Sequence, residues 1–208
     1  MRKYVLQFLY GIVLKNLLKL VVGVQFGRSA FLKDHKQFII VANHNSHLDT
    51  LSLMASLPGN MRHNVKPVAA MDYFGKTKLQ EKFSNYFINT LLISRKAVSN
   101  NPIQPMLDAL DQGYSLIVFP EGSRGDPEKM QPLKRGIGVV LAQRPEIPYV
   151  PVFMTGMGKA MPKGDALIVP HIVKIIFGEP AFVKSRQSAE IMKQIEDDLL
   201  ALKATVAP

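Results

Sequence analysis

The residues best placed to do acid–base chemistry in this chain are His44 and Asp49, which stand five positions apart just after the apolar run 38–42. A carboxylate that accepts a hydrogen bond from one imidazole nitrogen leaves the other nitrogen able to take a proton from a hydroxyl group. Residues five apart on a continuous helix diverge by roughly 140° and do not share a face. For the two side chains to meet, His44 must lie in the turn after a strand and Asp49 on the helix that follows.

The segment 43–49 also fits two other structures. Ser46 and Asp49 have the spacing of a helix N-terminus, where serine caps the helix and the carboxylate reaches back to unpaired backbone N–H groups. His44, His47 and Asp49 are also residue types that bind zinc. The other histidines stand in no recognisable ligand spacing, and the chain has no cysteine. The segment by itself leaves an oriented base, a helix cap and a metal site open.

A second polar segment, 121–125, directly follows the run 115–120, which predicts a buried strand that ends at a proline. Its sequence, Glu-Gly-Ser-Arg-Gly, is typical of a tight polar turn, and open α/β sheets bind ligands outside such strand ends. Arg124 can hold a phosphate through a bidentate fork. Glu121 can orient that arginine or hydrogen-bond a substrate hydroxyl. Alone, the segment also fits a solvated turn with a surface ion pair.

Together the two segments resemble the glycerolipid acyltransferases, whose best-known members are the 1-acylglycerol-3-phosphate acyltransferases. The shared pattern is Asn-His-x-Ser-x-x-Asp at 43–49, followed by Phe-Pro-Glu-Gly-Ser-Arg at 119–124. Three further matches are Leu-Leu-Ile-Ser-Arg at 91–95, Lys-Arg-Gly at 134–136 and Val-Pro-Val at 150–152. The resemblance therefore spans about residues 38–156, which is most of the chain.

The chain departs from the family pattern at three positions. Ser123 stands where threonine is usual, and it keeps the hydroxyl group. Gly125 stands where the family often has serine, and Asn89 stands where the second block usually opens with glycine. These departures leave the chemistry of the family intact and bear on which acceptor is used.

The resemblance implies an O-acyltransferase that makes phosphatidic acid from lysophosphatidic acid, with acyl-CoA or acyl carrier protein as the donor. His44 would be the general base, and Asp49 would hold its imidazole in the right tautomer. No acyl-enzyme is expected, because the chain has neither cysteine nor a G-x-S-x-G motif. Neither a cofactor nor a metal is expected. The residues expected to bind the acceptor's glycerol phosphate are Glu121, Gly122, Ser123, Arg124, Arg95 and Lys134.

Other functions stay open at this point. The same chemistry can act on glycerol-3-phosphate, on another lysophospholipid or on an amino-acid lipid. A function of another class is a basic, non-enzymatic module that binds membranes or nucleic acid. Nucleic acid is not an expected partner, because the chain has no tryptophan and its aromatic residues do not cluster with Lys or Arg in a binding motif.

The N-terminal segment predicts a membrane partner. The formal net charge is +10, and residues 1–36 hold seven basic residues against Asp34 alone. Residues 4–24 are mostly apolar, with Lys3, Gln7, Gly11, Lys15 and Lys19 at every fourth position. The longest uncharged run has eleven residues, which is short of the roughly 20 that span a bilayer. We therefore expect a helix in the interface of an anionic membrane, on its cytoplasmic face. A tilted or partial insertion into the bilayer, a core helix and a signal peptide are the alternatives.

Alternating strand and helix patterns predict a single-domain α/β fold with a mixed, mostly parallel sheet flanked by helices. Residues 1–36 are expected to form the membrane-associating segment, and residues 37–208 the acyltransferase domain. The turns at 43–46 and 121–125 both follow strands and should share one sheet edge. The polar loop 122–132 is expected to close over substrate. The predicted strands are 37–42, 65–70, 90–94, 115–120, 148–154 and 172–177, and the predicted helices are 4–24, 48–57, 76–87, 102–112, 134–143 and 187–203.

Overall fold

The computed structural model describes residues 1–71, 82, 84–94, 101–127, 129–161 and 167–206. Within them, short apolar and β-branched runs form a seven-stranded sheet of order β1-β7-β6-β2-β5-β3-β4. Neighbouring strands are parallel except β6 and β7, which are antiparallel. The sheet is therefore mixed and mostly parallel, as predicted. The strands are β1 (Val24–Phe26), β2 (Ile39–Ala42), β3 (Val65–Ala70), β4 (Leu91–Ile93), β5 (Ser115–Val118), β6 (Tyr149–Thr155) and β7 (Val173–Phe177).

The central strand β2 fixes where the polar segments meet. It pairs in parallel with β6 and β5, so that Val41 lies opposite Pro151 on one side and Val118 on the other. Every residue of β2 and β5 is buried, as expected for parallel strands covered on both faces. Parallel neighbours end at the same edge of a sheet. The turns at 43–46 and 121–125 therefore lie side by side, which confirms the prediction that they share one edge.

Helices cover both faces of the sheet. One core layer contains Ile40 and Ala42 of β2 with the buried residues of α1 and α2. The other contains Ile39 and Val41 of the same strand with those of α3, α4 and α6. Alternate side chains of one strand thus enter opposite layers. The helices are α1 (Arg2–Val22), α2 (Leu48–Ser56), α3 (Gln104–Asp111), α4 (Gly136–Gln143), α5 (Met157–Ala160) and α6 (Ser188–Ala204).

The N-terminal helix α1 runs for 21 residues and alternates α-helical turns with wider π-helical turns at Leu9–Leu14 and Leu18–Val22. Its buried side chains are separated from one another by four residues or a multiple of four. In a regular helix of 3.6 residues per turn, side chains spaced four residues apart do not stay on one side but wind slowly around the axis. The wider turns reduce this winding. The row of buried side chains therefore keeps facing the domain along the whole helix. The buried residues of α1 are Leu6, Tyr10, Leu18 and Val22.

The opposite side of α1 is apolar and exposed. We define the outward face of α1 as Tyr4, Phe8, Ile12, Leu17 and Leu20, all of which are exposed large hydrophobic side chains. A stripe of polar and small residues with the same four-residue spacing, the one predicted from the sequence, runs beside this face. By length and composition α1 also qualifies as a candidate membrane span.

A buried arginine attaches α1 to the rest of the domain. Arg62 is 4% exposed, and its Nε donates a hydrogen bond to the carbonyl of Met54 at 3.0 Å, near the end of α2. Its two terminal nitrogens donate to the carbonyls of Ala55 and Gln7, each at 3.3 Å. A Cβ atom on Gly11 would lie only 2.8 Å from one of these nitrogens. The glycine in the stripe of α1 thus makes room for the arginine that holds the helix.

The structure confirms most of the predicted elements. Strand β3 has the predicted bounds, and the other predicted strands and helices shift by a few residues at their ends. The exception is the helix predicted at 76–87, most of which lies outside the described residues. The sequence did not predict β1 or α5, and β1 begins inside the apolar run that predicted the helix 4–24. The division at residue 36 stays a prediction, and β1, which precedes it, pairs with β7.

Replacing Arg62 with leucine should destabilise the protein by about 2–3 kcal/mol, because the change leaves buried carbonyls without their charged donor. Urea unfolding followed by circular dichroism measures the change. Arg144→Leu is the matched control, since the pairing of Arg144 with Asp111 at 2.7 Å is at the surface and should contribute little. Equal effects of the two substitutions would contradict the role given to Arg62.

Candidate active site

His44 and Asp49 meet as their spacing predicted. His44 lies in the turn after β2, Asp49 lies in the first turn of α2, and His44 Nδ1 is 2.9 Å from Asp49 Oδ2. With the proton on Nδ1, the imidazole donates to the carboxylate and Nε2 carries the lone pair. The histidine side chain is 19% exposed and the aspartate 1% exposed. A buried carboxylate thus orients an imidazole that reaches the surface.

Asp49 also caps the helix that carries it. Its Oδ2 accepts hydrogen bonds from the backbone N–H groups of Asn45 at 2.7 Å and Ser46 at 2.8 Å. The Ser46 hydroxyl in turn accepts the N–H of Leu48 at 3.3 Å. Negative charge at this end of a helix is favoured by the helix dipole. The oriented pair and the helix cap, which the sequence left as alternatives, are therefore present together on one oxygen atom.

The residues that follow β5 contact both the imidazole ring and the backbone of His44. The Phe119 ring stacks on the imidazole, with ring centroids 4.2 Å apart and planes 19° apart. The His44 N–H donates to Glu121 Oε1 at 2.7 Å, and the His44 carbonyl accepts the N–H of Gly125 at 3.0 Å. Side-chain stacking and two backbone contacts thus fix both the ring and the turn that bears it.

The carboxylate of Glu121 faces the protein backbone. Its Oε1 accepts from His44, and its Oε2 accepts the N–H of Gln131 at 2.8 Å. The residue is 2% exposed. Burial raises the pKa of this carboxyl, and the hydrogen bonds from Gln131 and His44 oppose that rise. Glu121 ties the turn of His44 to the far end of the loop 122–132, and its predicted contact with the acceptor stays a prediction.

Two asparagines on either side of His44 contribute contacts that the sequence analysis did not predict. The Asn43 side chain accepts the N–H of Met154 at 2.7 Å and donates to its carbonyl at 2.8 Å, in the manner of a neighbouring strand. The Asn45 amide donates to the carbonyl of Asp126 at 2.7 Å. Both side chains are buried. The sequence signal for these contacts was the pair of asparagines that flank the histidine directly after a strand, because a buried amide side chain needs several hydrogen-bond partners.

Basic groups surround the turn at 121–125. Gly122 has a φ of +71°, and a Cβ atom there would lie 2.8 Å from Lys134 Nζ, so the lysine side chain crosses directly over this glycine. The Arg124 guanidinium lies close enough to His47 to act with burial, the larger cause, in lowering the pKa of that imidazole. Arg124 and Lys134 thus bring positive charge to the turn that is hydrogen-bonded to His44, which suits a phosphate group.

The arrangement suits proton removal from an alcohol held by its phosphate. One side offers an imidazole oriented by a buried carboxylate, and the neighbouring turn offers two cations. Among the described residues, no group of three or more His, Asp or Glu side chains is arranged to hold a metal ion.

A family model described as Acyltransferase matches residues 23–174, which is more than half of the chain. The chain belongs to the acyltransferase family. The match includes both polar turns and the strands that carry them, and it begins next to β1 and ends within β7.

Curated relatives of this acyltransferase have similar names. The chain is 27% identical over 180 residues to "1-acyl-sn-glycerol-3-phosphate acyltransferase" of Limnanthes douglasii, a match that covers 83% of this chain and 60% of the relative. It is 32% identical over 124 residues to the human "1-acyl-sn-glycerol-3-phosphate acyltransferase alpha", which covers 57% of this chain and 40% of the relative. The chain thus spans at most 60% of the length of these two relatives.

A solved structure has the same fold as this acyltransferase. The crystal structure of the 1-acyl-sn-glycerophosphate acyltransferase PlsC from Thermotoga maritima superposes with a TM-score of 0.81 at 22% sequence identity. The superposition covers all of this chain and 82% of the other. At this identity the likeness shows the fold alone.

The predicted site residues fall into three groups in the acyltransferase domain. His44 and Asp49 are in contact, and Lys134 reaches the turn formed by Glu121, Gly122, Ser123 and Arg124. Ser123 is exposed on that turn. Arg95 lies outside the described residues. The catalytic and binding roles given to these residues stay predictions, as does closure of the loop 122–132 over substrate.

Gly122→Ala should destabilise the protein by about 1–2 kcal/mol, because a side chain is strained at positive φ, and should also displace Lys134. Gly113→Ala is the matched control, since its φ is +83° and a Cβ atom there meets nothing within 4 Å. We expect similar unfolding free energies for the two variants but a loss of acyl transfer in Gly122→Ala only. A Gly113→Ala variant that loses transfer equally would contradict this account of Lys134.

Proposed function

We propose that the protein transfers a fatty acyl group from an acyl thioester to the free hydroxyl of lysophosphatidic acid, giving phosphatidic acid. The observation that carries this proposal is the 2.9 Å contact between His44 Nδ1 and Asp49 Oδ2 beside the cationic turn at 121–125. The names of the curated relatives support the choice of acceptor. The reaction needs no cofactor and no metal in this scheme.

His44 acts as the general base. Its Nε2 removes the proton of the acceptor hydroxyl as the oxygen attacks the thioester carbonyl carbon. The C–S bond then breaks, and the thiolate of CoA or acyl carrier protein leaves and takes the proton back from Nε2. Asp49 holds the Nδ1–H tautomer and stabilises the imidazolium that forms between these steps. A positioned base of this kind contributes roughly 10²–10⁴ in rate.

Arg124 and Lys134 bind the phosphate of the acceptor. Gly122 permits this because, without a side chain, it allows Lys134 to cross the turn. Arg95 and the Ser123 hydroxyl are further candidates for the same phosphate and glycerol oxygens. A phosphate held here sets the distance between the attacking hydroxyl and Nε2, which is how binding a remote group accelerates the reaction.

Glu121 acts through His44 in this proposal. Both of its oxygens accept backbone N–H groups, so it is a positioning residue for the base. This role differs from direct binding of the acceptor, and the two roles have different kinetic consequences.

The N-terminal helix brings the domain to its lipid substrate. The outward face of α1 is apolar and has lysines along its edge, which suits the interface of an anionic membrane on its cytoplasmic side. Lysophospholipid reaches the site from this surface, and the acidic thioester donor reaches it from water. The basic charge of the chain, +10, favours both encounters.

His44→Ala should lower the rate of acyl transfer by about 10²–10⁴, and Asp49→Asn should lower it strongly with the fold intact, because the amide oxygen can still accept the two backbone N–H groups. The assay offers labelled acyl-CoA, and separately acyl carrier protein, to the protein in liposomes with lysophosphatidic acid or glycerol-3-phosphate. His35→Ala is the control. Acylation of glycerol-3-phosphate alone would reassign the acceptor, and transfer that survives in His44→Ala would exclude the base role.

Glu121→Gln should lower kcat by about 10- to 100-fold, the scale of effect that a small misplacement of a catalytic group produces, with little change in the KM for the acceptor. An amide has one acceptor oxygen, so one of the two N–H groups loses its partner. Arg124→Ala is the comparison and should raise the KM. If Glu121→Gln instead raises the acceptor KM at constant kcat, Glu121 binds substrate directly.

A further inference from the structure

A short apolar segment near the C-terminal end of α1 is exposed. In residues 167–172, which we call the strap, Leu167 is 73% exposed, Ile172 is 64% exposed, and Ile168 and Val169 are also exposed. Single exposed hydrophobic residues are common on protein surfaces, but a contiguous apolar patch marks a surface that contacts another apolar phase. Neither the proposed chemistry nor the domain core accounts for this patch.

Hydrogen bonds hold the strap against the end of α1. The N–H of His171 donates to the carbonyl of Val22 at 3.0 Å, and the N–H of Val173 donates to the carbonyl of Gly23 at 3.3 Å. Gly23 has a φ of +86°, and a Cβ atom there would lie 2.8 Å from the His171 carbonyl oxygen. This close approach places the strap at the C-terminal end of α1, the end that also carries Leu20 of the outward face. The strap and the outward face of α1 are therefore both present at this end of the helix.

The two chain segments that contain this apolar surface carry charges of one sign. Residues 1–28 and 167–178 contain six Lys and Arg residues and no Asp or Glu. The six are Arg2, Lys3, Lys15, Lys19, Arg28 and Lys174. An apolar surface with only basic residues in its segments is complementary to a bilayer that carries anionic headgroups over a hydrocarbon interior.

The strap is also connected to the candidate active site. The N–H of Val169 donates to the carbonyl of Ala160 in α5 at 2.8 Å. The same short helix contacts the turn of the base, because the Ser46 hydroxyl donates to the carbonyl of Met161 at 3.0 Å. A Cβ atom on Gly158 would lie 3.3 Å from Cβ of Asn45. One short helix thus separates the strap from the turn that holds His44.

We propose that the strap enters the interface of an anionic bilayer together with the outward face of α1. The membrane contact then has two elements, one on each side of the Val22–His171 hydrogen bond. A second element fixes how the domain is oriented on the lipid surface, because a single helix leaves rotation about its own axis free. It also places the α5 edge, and with it the active-site turn, next to the bilayer from which a lipid acceptor comes.

The test uses the absence of native cysteine in the chain. Single variants Leu167→Cys and Ile172→Cys are labelled with an environment-sensitive fluorophore and mixed with vesicles of phosphatidylcholine and phosphatidylglycerol, with and without nitroxide-labelled lipid. Phe8→Cys on α1 is the positive control. Phe182→Cys is the matched control, because Phe182 is 54% exposed and lies beside α6, where its carbonyl accepts from Gln194.

We expect the strap labels to shift to the blue and to be quenched by nitroxide lipid as strongly as the Phe8 label, with the Phe182 label unchanged. Strap labels that stay in water while the Phe8 label inserts would overturn the proposal. Strap labels that shift without vesicles, as the protein concentration rises, would show that a second copy covers the strap and would also overturn it. Both readouts are independent of acyl transfer.

A second measurement uses unlabelled protein. The double variant Leu167→Ser with Ile172→Ser should lower vesicle binding in flotation assays at least fivefold, with an unchanged circular dichroism spectrum because both positions are exposed. The variant Phe182→Ser should float with vesicles as the unmodified protein does. Undiminished flotation of the double variant would mean that α1 alone supplies the membrane contact.

Discussion

The arrangement of the site depends on one buried oxygen atom, Oδ2 of Asp49. It accepts the imidazole Nδ1–H of His44 and the backbone N–H groups of Asn45 and Ser46. The carboxylate stands at the N-terminus of α2, where the helix dipole stabilises negative charge. Its partners therefore fix the shape of the turn and the orientation of the base at the same time. Any change that removes this oxygen alters both the start of the helix and the imidazole.

A second constraint is the parallel pairing of β2 with β5, which brings together residues 77 positions apart in sequence. Glu121 spans the gap between the two turns, and its burial raises its own pKa, because an ion removed from water is costly unless its hydrogen bonds compensate. Backbone N–H groups supply that compensation. The carboxylate is thus fully engaged in holding the turn of His44, while the cations on the same motif face the neighbouring surface. The structural role of Glu121 and the proposed binding role of Arg124 thus belong to one short segment.

The helix α1 packs one side against the domain and exposes its outward face on the other side. Its buried row and its stripe of polar and small residues follow a four-residue spacing, and the wider turns keep each of them on its own side. Arg62 links α1 to α2, the helix that carries Asp49. The N-terminal segment and the active site are therefore parts of one packed layer.

The presence of Asn89 where the family usually has glycine has a local explanation. Its φ is +63°, a conformation that glycine and asparagine adopt most readily.

The alternation of strands and helices, the meeting of His44 with Asp49, the cationic turn and the four-residue stripe of α1 could be predicted from the sequence, because each is a local pattern of residue type and spacing. The sequence did not determine whether Asp49 was a cap or an orienting group, since both need the same spacing and only the folded turn shows one oxygen in both contacts. It did not show the backbone N–H groups that Glu121 accepts, and it did not show the strap beside α1. The contacts of Glu121 and of the strap join segments far apart in the chain, and no local period encodes contacts of this kind, which form only when the chain folds.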